Sequence, residues 1–486
     1  MGSMSNDLAQ PISRARLLAR LREPRVWDVL VIGGGATGMG IAVDAAARGF
    51  DTVLVEAQDF SAGTSSRSTK LIHGGVRYLQ QGNVALVREA LHERALLLKN
   101  APRLVQARPF IVPCYGLFER EVMRIGLGLY DALAGKYGIG ATEWLSRDET
   151  LARLPGVRSE GLRGGVLYWD GQFDDAQLVV SLMRTAWAQG AVPLNYMAVV
   201  ALERGADGIS AVSVRDAETG ETLTLQARAV FNAAGVWVDA IRHLADPQAK
   251  RLVRVSRGSH ILLDLDYMPA AAGMLIPKTR DGRVLFAIPW HGRLLVGTTD
   301  VEEKEPVFEP RASGDEIDFM IETAAGYLKK KITRADVRAS FSGLRPLFNA
   351  GAAGSTAQVS REHAVIPEYG NLITITGGKW TTYRKMAIDA LAAAERAGLL
   401  PVRPCTTEGL ALADDADWDA TQLMAEALAG RGEEQVAEYA RHARDYQQAR
   451  TAEDVLNRRL RIGLLDEARA RALEGTVRAA LAGSVV

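Results

Sequence analysis

From Asp28 the chain sets an unbroken apolar run, Val29-Leu30-Val31-Ile32, directly before three glycines. Such a run ending in a glycine turn predicts a strand buried on both faces. Ala42, Val43, Ala45 and Ala46 then give a helix whose small residues can approach a sheet closely, and Gly49 ends it. Thr52-Val53-Leu54-Val55 predicts the next strand. "NVALVREALHERALLLKNAP" has helical spacing and stops at Pro102. Beyond about Leu104 the period shortens: "PFIVPCYG", "GVLYWDG", "HILLDL", "RVLFAIPW" and "RLLVGTTD" predict strands between Gly and Asp turns. "LVVSLMRTAWAQG" predicts a helix leading to a strand near Met197 to Leu202. "ARAVFNAAGVWVDAI" and "NLITITGGKWTTYRKMAIDALAAAERAG" repeat the grammar of strand, glycine turn and helix. After about Pro404 the chain turns Ala-, Arg- and Glu-rich at helical spacing.

This interleaving predicts an α/β protein with a Rossmann-like nucleotide-binding domain of discontinuous segments, 28–103, 165–245 and 340–400. A mostly antiparallel β-sheet substrate or cap domain, 104–164 and 246–339, is inserted between them, and 401–486 forms a helical C-terminal domain. A leader, 1–27, precedes them. Its first three residues read as a tag remnant. "ISRARLLARLREP" reads as a short basic amphipathic helix, either packed on the body through Leu17, Leu18 and Leu21 or lying on a membrane surface.

A length of 486 residues requires more than one core. Lys+Arg and Asp+Glu both number 58, so net charge argues neither for nor against nucleic acid and any electrostatic function must be local; no nucleic-acid partner is expected. Cys114 and Cys405 lie in unrelated contexts and suggest neither a disulfide framework nor a metal site; no metal is expected. The N-terminus has no apolar signal-peptide core, and no apolar run reaches the roughly 18 residues of a membrane span.

The glycines carry the first chemistry. Gly33-x-Gly35-x-x-Gly38 follows a strand and opens a helix, and Glu56 ends the next strand where a carboxylate would reach ribose hydroxyls. Free N–H groups and the dipole at a helix N-terminus favour a pyrophosphate. This is a dinucleotide site. Glycine turns at both ends of the catalytic region, with no second GxGxxG, favour an extended FAD over NAD.

"DVLVIGGGATGMGIAVDAAARG", "TSSRSTKLIHGGVRYL", "RGSHILL", "FAIPW…VGTTD", "SGLRPL" and "GGKWTTYRKMA" occur in this order between Asp28 and Ala387. Together they resemble the FAD-dependent, membrane-associated aerobic sn-glycerol-3-phosphate dehydrogenases of the D-amino-acid-oxidase-like superfamily. "AEDVLNRRLRIGLLD" resembles that family's C-terminal domain more weakly. The glycine motif is shared by many flavoproteins, whereas HGGxRYL, SGxRPL and GGKxTTYR are far more specific.

The resemblance implies oxidation of sn-glycerol 3-phosphate to dihydroxyacetone phosphate, with hydride passing from C2 to flavin N5 and electrons going on to quinone. Rival readings are a glycerol-3-phosphate oxidase releasing H2O2, a flavin oxidase of a hydroxy or amino acid, and a non-catalytic flavoprotein. Implied cofactor residues are Gly33, Gly35, Thr37, Gly38, Glu56, Ala57, Thr64, Ser65, Ser66, Lys70, Leu71, His73, Gly74 and Gly75, then Ala198, Ala234, Gly235, Trp237, Gly343, Arg345, Gly378, Lys379, Thr381 and Thr382. Arg77, Tyr78, His260, Arg345, Arg361 and Lys379 are the implied substrate contacts. Cations suit a phosphate dianion, bidentate from arginine or as a point charge from lysine. His260 is the first choice for the base, with Lys379 or Arg345 stabilising an alkoxide.

Several positions depart from the family's pattern: Met39 in the glycine motif, Val236 for a customary proline, and Asn457 and Leu460 in the tail. "TTEGLALADD" lacks the expected Pro-Leu-x-Gly. These leave catalysis intact and put tail packing or a homodimer in question. "EVMRIGLGLYDALAGKYG" sets Val122, Met123, Ile125, Leu127, Leu129 and Leu133 among Arg124 and Lys136. In this family it would lie on the bilayer, which places the protein at the inner face of the cytoplasmic membrane; packing on the substrate domain explains the same pattern.

Overall fold

The structure is a computed structural model that describes residues 8–75, 83–116, 119–280, 282–349, 362–415 and 417–483. Two sheets organise it. In the first, Val26–Ile32 lies between Thr222–Asn232 and Thr52–Val55, all parallel, and the parallel set extends to Leu372–Gly377 on one side and Val192–Leu194 on the other. His363–Glu368 adds an antiparallel edge. Val29, Leu30 and Val31 are fully buried, as an apolar run in a sheet covered on both faces must be. Helix Ala36–Ala47 covers one face, and Met39, Ile41, Ala42 and Ala45 on it are sealed from solvent. Helices Asp175–Ala188 and Tyr383–Arg396 pack against it.

The second sheet is mainly antiparallel and is built around the long strand Val253–Asp264, which pairs with Arg293–Gly297 on one side and Ala339–Phe348 on the other. Val105–Cys114 pairs along its whole length with Gly164–Phe173. Two segments assigned to the nucleotide domain in the sequence belong here: Gly164–Phe173 and Ala339–Phe348 hydrogen-bond in this second sheet. The boundaries at 165 and 340 are therefore displaced by one strand each. Both are long apolar strands, and only their partners reveal which sheet holds them.

The C-terminal helices Ala420–Leu428, Glu433–Gln447 and Glu467–Ala482 form their own core through Leu423, Val436, Tyr439, Leu473 and Val477. That core also takes in Leu262, Trp290, Leu295 and Phe341 of the second sheet. The helical domain is thus packed onto the catalytic region. In the leader, helix Arg14–Arg22 buries Leu17, Leu18 and Leu21, while Arg14 reaches Asp216 at 2.8 Å. Its apolar face is used in packing, which removes the membrane-surface reading for this segment. Of the residues that depart from the family pattern, Met39, Val236 and Leu460 are buried and Asn457 is half-buried.

Candidate functional site

A cleft of about 420 Å³ opens at the carboxyl ends of the parallel strands, where open α/β sheets bind ligands. Its floor is the turn after Val26–Ile32. Gly33 has φ +112°, and a Cβ there would stand 2.6 Å from the Ala233 carbonyl oxygen. A Cβ on Gly38 would stand 1.9 Å from the Gly33 carbonyl oxygen, so glycine alone allows helix and strand this close. The N-cap Gly35 has no side chain to cap the helix. The first-turn N–H groups are left for a ligand, apart from that of Ala36, which donates to Ser65 Oγ at 2.9 Å.

Glu56 closes the second strand. Its carboxylate accepts the Gly34 N–H at 2.6 Å and the Gln58 N–H at 2.9 Å. Burial raises its pKa, against the pull of these backbone donors. Ala57, Thr64, Ala234, Gly235, Trp237, Gly378 and Lys379 line the same cleft with Thr37 and Ser65. A glycine floor, a helix N-terminus and a carboxylate at the strand end match the pyrophosphate and ribose of a dinucleotide. The extended apolar wall around Trp237 suits a flat ring system.

Other implied cofactor residues stand behind this lining. Thr381 Oγ1 accepts the His73 N–H at 3.1 Å and donates to the His73 carbonyl, and Thr382 donates to the Lys379 carbonyl. Gly74 gives its N–H to the Tyr130 hydroxyl at 2.8 Å, and Gly75 has φ +83°. Leu71 pairs with Gln172 in the second sheet, and Ala198 pairs with Arg215 while its neighbours Met197 and Val199 meet the cleft. Lys70 does not line the cleft: it is buried against Asp175 at 2.6 Å, and Ser66 offers its carbonyl to Lys70 rather than to a ligand. Burial, reinforced by Arg461 and opposed by Asp175, lowers the Lys70 pKa to about 7. Arg77, Tyr78 and Arg361 lie outside the described residues.

Beside the cleft, the second sheet presents one face built by register. His260 lies opposite Phe341, Gly258 opposite Gly343, and Ser256 opposite Arg345. Alternation along both strands therefore puts these six side chains on the same side. The glycine pair makes room. A Cβ on Gly258 would meet the Arg345 guanidinium at 2.1 Å, so this side chain lies folded over Gly258 toward His260. Its Nη2 donates to Thr298 Oγ1 at 2.9 Å and to the Thr299 carbonyl at 3.1 Å, with the Asp300 carboxylate 3.7 Å from Nη1. Gly343 is equally confined, its Cβ direction filled by the Arg67 carbonyl oxygen at 2.7 Å.

The His260 ring stacks on Phe341 at 4.7 Å and lies across Gly297, where a Cβ would come within 2.3 Å of it. Nε2 shares a hydrogen bond with Thr69 Oγ1 at 3.0 Å. Nδ1 is buried with no hydrogen-bond partner among the described residues. Burial first, then Lys70 and Arg345, holds the His260 pKa well below the usual value, so the imidazole is neutral. The Thr64 hydroxyl reaches the Leu344 carbonyl at 2.6 Å, which ties the cleft loop to this face beside Arg345.

Four lining residues are not singled out as contacts by the sequence: Ile241 and Phe308, and, inside the quoted SGLRPL and GGKWTTYRKMA, Pro346 and Met386. Ser61 and Gly63 continue the Thr64–Ser66 turn and could have been found by extending the motif backward. Among the described residues no helix is long and apolar enough to cross a membrane, and no group of three or more metal-ligating side chains occurs.

The chain is similar to several known proteins. The chain is 44% identical over 406 residues to the Arabidopsis thaliana mitochondrial glycerol-3-phosphate dehydrogenase SDP6, which covers 81% of this chain and 64% of that one. It is 40% identical over 427 residues to the Bos taurus mitochondrial glycerol-3-phosphate dehydrogenase, covering 85% and 59%. The chain thus spans about six tenths of the length of these relatives. The crystal structure of a Bacillus halodurans glycerol-3-phosphate dehydrogenase complexed with FAD superposes with a TM-score of 0.76 at 28% identity, over 96% of this chain and 92% of that one. A family model described as FAD dependent oxidoreductase (DAO) matches residues 28–384, which include the glycine floor, Glu56, His260, Arg345 and Lys379. The cofactor is FAD, whose pyrophosphate and ribose the cleft's residues fit, and the chain belongs to the DAO family of FAD-dependent oxidoreductases.

Proposed function

We propose that this protein oxidises sn-glycerol 3-phosphate to dihydroxyacetone phosphate and passes the electrons to a quinone. The observation that carries the reading is the face shared by His260 and Arg345 at the edge of the FAD cleft. The names of the relatives supply the substrate. FAD, when bound, accepts at N5 the hydride that leaves C2.

The protein's own groups do the remaining work. The glycine turn and helix N-terminus hold the pyrophosphate, and Glu56 the ribose hydroxyls. Arg345 offers a planar fork to the substrate phosphate, and Lys379 in the cleft wall adds a point charge for the phosphate or a forming alkoxide. His260 is neutral and fixed in place by Phe341 and Thr69, so it can accept the hydroxyl proton of C2. Burial first, and then two cations, depress its basicity in the free site. A phosphate dianion offsets that charge and makes the imidazole a better base when substrate is bound.

Contact with lipid is part of the same proposal. Helix Glu119–Ala134 buries Leu127, Tyr130 and Ala134 and leaves Ile125 67% and Leu129 48% exposed. Those two residues support a peripheral position on the cytoplasmic membrane, where a quinone dissolves.

The test is steady-state turnover of sn-glycerol 3-phosphate with a soluble quinone analogue, in the presence and absence of oxygen. Acceptor reduction at equal rates without peroxide supports the proposal. Oxygen consumption with stoichiometric peroxide overturns the choice of acceptor, and failure to oxidise this alcohol with any acceptor overturns the substrate.

A further inference from the structure

Helix Asp175–Ala188 opens with two carboxylates, Asp174 as N-cap and Asp175 in the first turn. Asp175 is fully buried and collects donors from two distant parts of the chain. From the cofactor loop come Lys70 Nζ at 2.6 Å, the Ser68 hydroxyl at 2.7 Å and the Ser68 N–H at 3.0 Å. From the C-terminal helical domain comes Arg461 Nη2, at 2.9 Å. The Ser66 carbonyl accepts from the same two cations, Lys70 at 2.8 Å and Arg461 at 2.9 Å. Arg461 therefore holds the loop twice: through the shared carboxylate and directly by its backbone.

The geometry around this point is unusual. Lys70 has φ +63° and Arg461 φ +61°, the left-handed conformation that few non-glycine residues adopt. Surrounding contacts must fix both residues for it to persist. Trp290 lies against the pair, 5.3 Å from Lys70 Nζ and 5.5 Å from the Arg461 guanidinium carbon.

Ser66 is one peptide from the cleft lining. Ser65 accepts the Ala36 N–H through Oγ and the Trp380 indole N–H through its carbonyl, each at 2.9 Å. Any shift of the Ser66 carbonyl therefore carries Ser65 and Thr64 with it, and the start of the pyrophosphate helix loses its reference.

We propose that Arg461 is a positioning residue for the FAD loop, so that the C-terminal helical domain belongs to the apparatus that retains the cofactor. The inference rests on FAD occupying the cleft and is independent of the substrate. Glutamine at 461 leaves Asp175 with Lys70 as its one cation and removes a donor from Ser66, while the hydrophobic docking of the helical domain stays intact.

The test heats the holoenzyme while following two signals: flavin fluorescence for release and tryptophan fluorescence for unfolding. In the wild type the two transitions should coincide. In Arg461→Gln, release should precede unfolding, and FAD retention on dialysis should weaken roughly ten- to hundredfold, as expected for the loss of a charge-assisted hydrogen bond. Arg450→Gln is the control: it breaks the Arg450–Glu218 ion pair at 2.5 Å, which also joins the helical domain to the body but touches nothing in the loop. Its transitions should stay together. Should Arg461→Gln not fold, Arg461→Lys keeps the charge but gives up the planar fork that reaches both the Asp175 carboxylate and the Ser66 carbonyl, and carries the same expectation. Coincident transitions in both Arg461 variants, or equally early release from Arg450→Gln, would overturn the proposal. A wild type that takes up no FAD would instead overturn the cofactor assignment beneath it.

Discussion

Gly258→Ala perturbs the proposed substrate face by one methyl group. Gly258 sits mid-strand opposite Gly343 without a left-handed φ, so alanine suits its backbone and removes the entropic penalty of glycine, about 0.5–1 kcal/mol. The fold should not suffer. The new Cβ, however, would stand 2.1 Å from Arg345 Nη2 and 2.5 Å from Cζ, where ordinary contact begins at 3.4 Å. The guanidinium must retreat by more than an ångström, and its hydrogen bonds at 2.9 Å to Thr298 and 3.1 Å to Thr299 cannot both survive. A displacement of that size in a positioned binding group costs up to about 100-fold in rate. Removing the charge outright, in Arg345→Ala, costs roughly 1.5–3 kcal/mol of substrate binding. The assay is kcat/KM for sn-glycerol 3-phosphate in wild type, Gly258→Ala, Arg345→Ala and the double variant, with thermal unfolding and FAD content as controls. Gly258→Ala should raise KM about ten- to hundredfold at unchanged FAD content. In the double variant it should add little to Arg345→Ala, because both changes act through one side chain. Wild-type kcat/KM in Gly258→Ala, or full additivity, would refute Arg345 as the substrate's anchor.

Three further outcomes follow from single contacts. Gly38→Ala should yield protein without retained FAD, since its Cβ would stand 1.9 Å from the Gly33 carbonyl oxygen and neither backbone can yield; the flavin-to-protein absorbance ratio reads this. Tyr130→Phe should cost about 1–3 kcal/mol in urea unfolding, because the buried Gly74 N–H loses its acceptor and Asp170 a donor. His260, neutral in the native state, should make the protein acid-sensitive. The unfolded chain takes up this proton first, so stability falls as pH drops below about 6.5, by at most ~1.4 kcal/mol per pH unit for one proton. His260→Gln should flatten that share of the slope and slow flavin reduction about 10²–10⁴-fold in stopped-flow measurements.

Much of the first sheet is legible because its signals are local. Val29 to Ile32, the glycines after them and Glu56 lie within one strand-turn-helix-strand unit, and each reports its own role. The substrate face is another matter. That Gly258 faces Gly343 and Ser256 faces Arg345 follows from pairing between strands some 85 residues apart, which no local pattern encodes. For the same reason Gly164–Phe173 and Ala339–Phe348 read as nucleotide-domain segments although they pair in the second sheet.

Buried charges were the least legible. Asp59, Asp175 and Arg461 look like surface residues in sequence, yet all three are sealed. Burial alone would raise the Asp59 pKa, and Arg459 and Arg458 more than reverse it, at 2.5 and 2.6 Å. The family resemblance implies Lys70 as a cofactor contact. Its side chain turns instead to Asp175 and the Ser66 carbonyl, since a buried ammonium needs a carboxylate and acceptors beside it.

The central claim is that an FAD ring, the Arg345 cation and the neutral His260 beside it serve one small phosphorylated alcohol. Anaerobic addition of sn-glycerol 3-phosphate to the yellow holoenzyme tests it most directly. The oxidised-flavin absorbance band should bleach within a single turnover and should be unaffected by glycerol or by amino and hydroxy acids at the same concentration. A band unmoved by sn-glycerol 3-phosphate, or bleached as readily by a carboxylate substrate, would contradict the account.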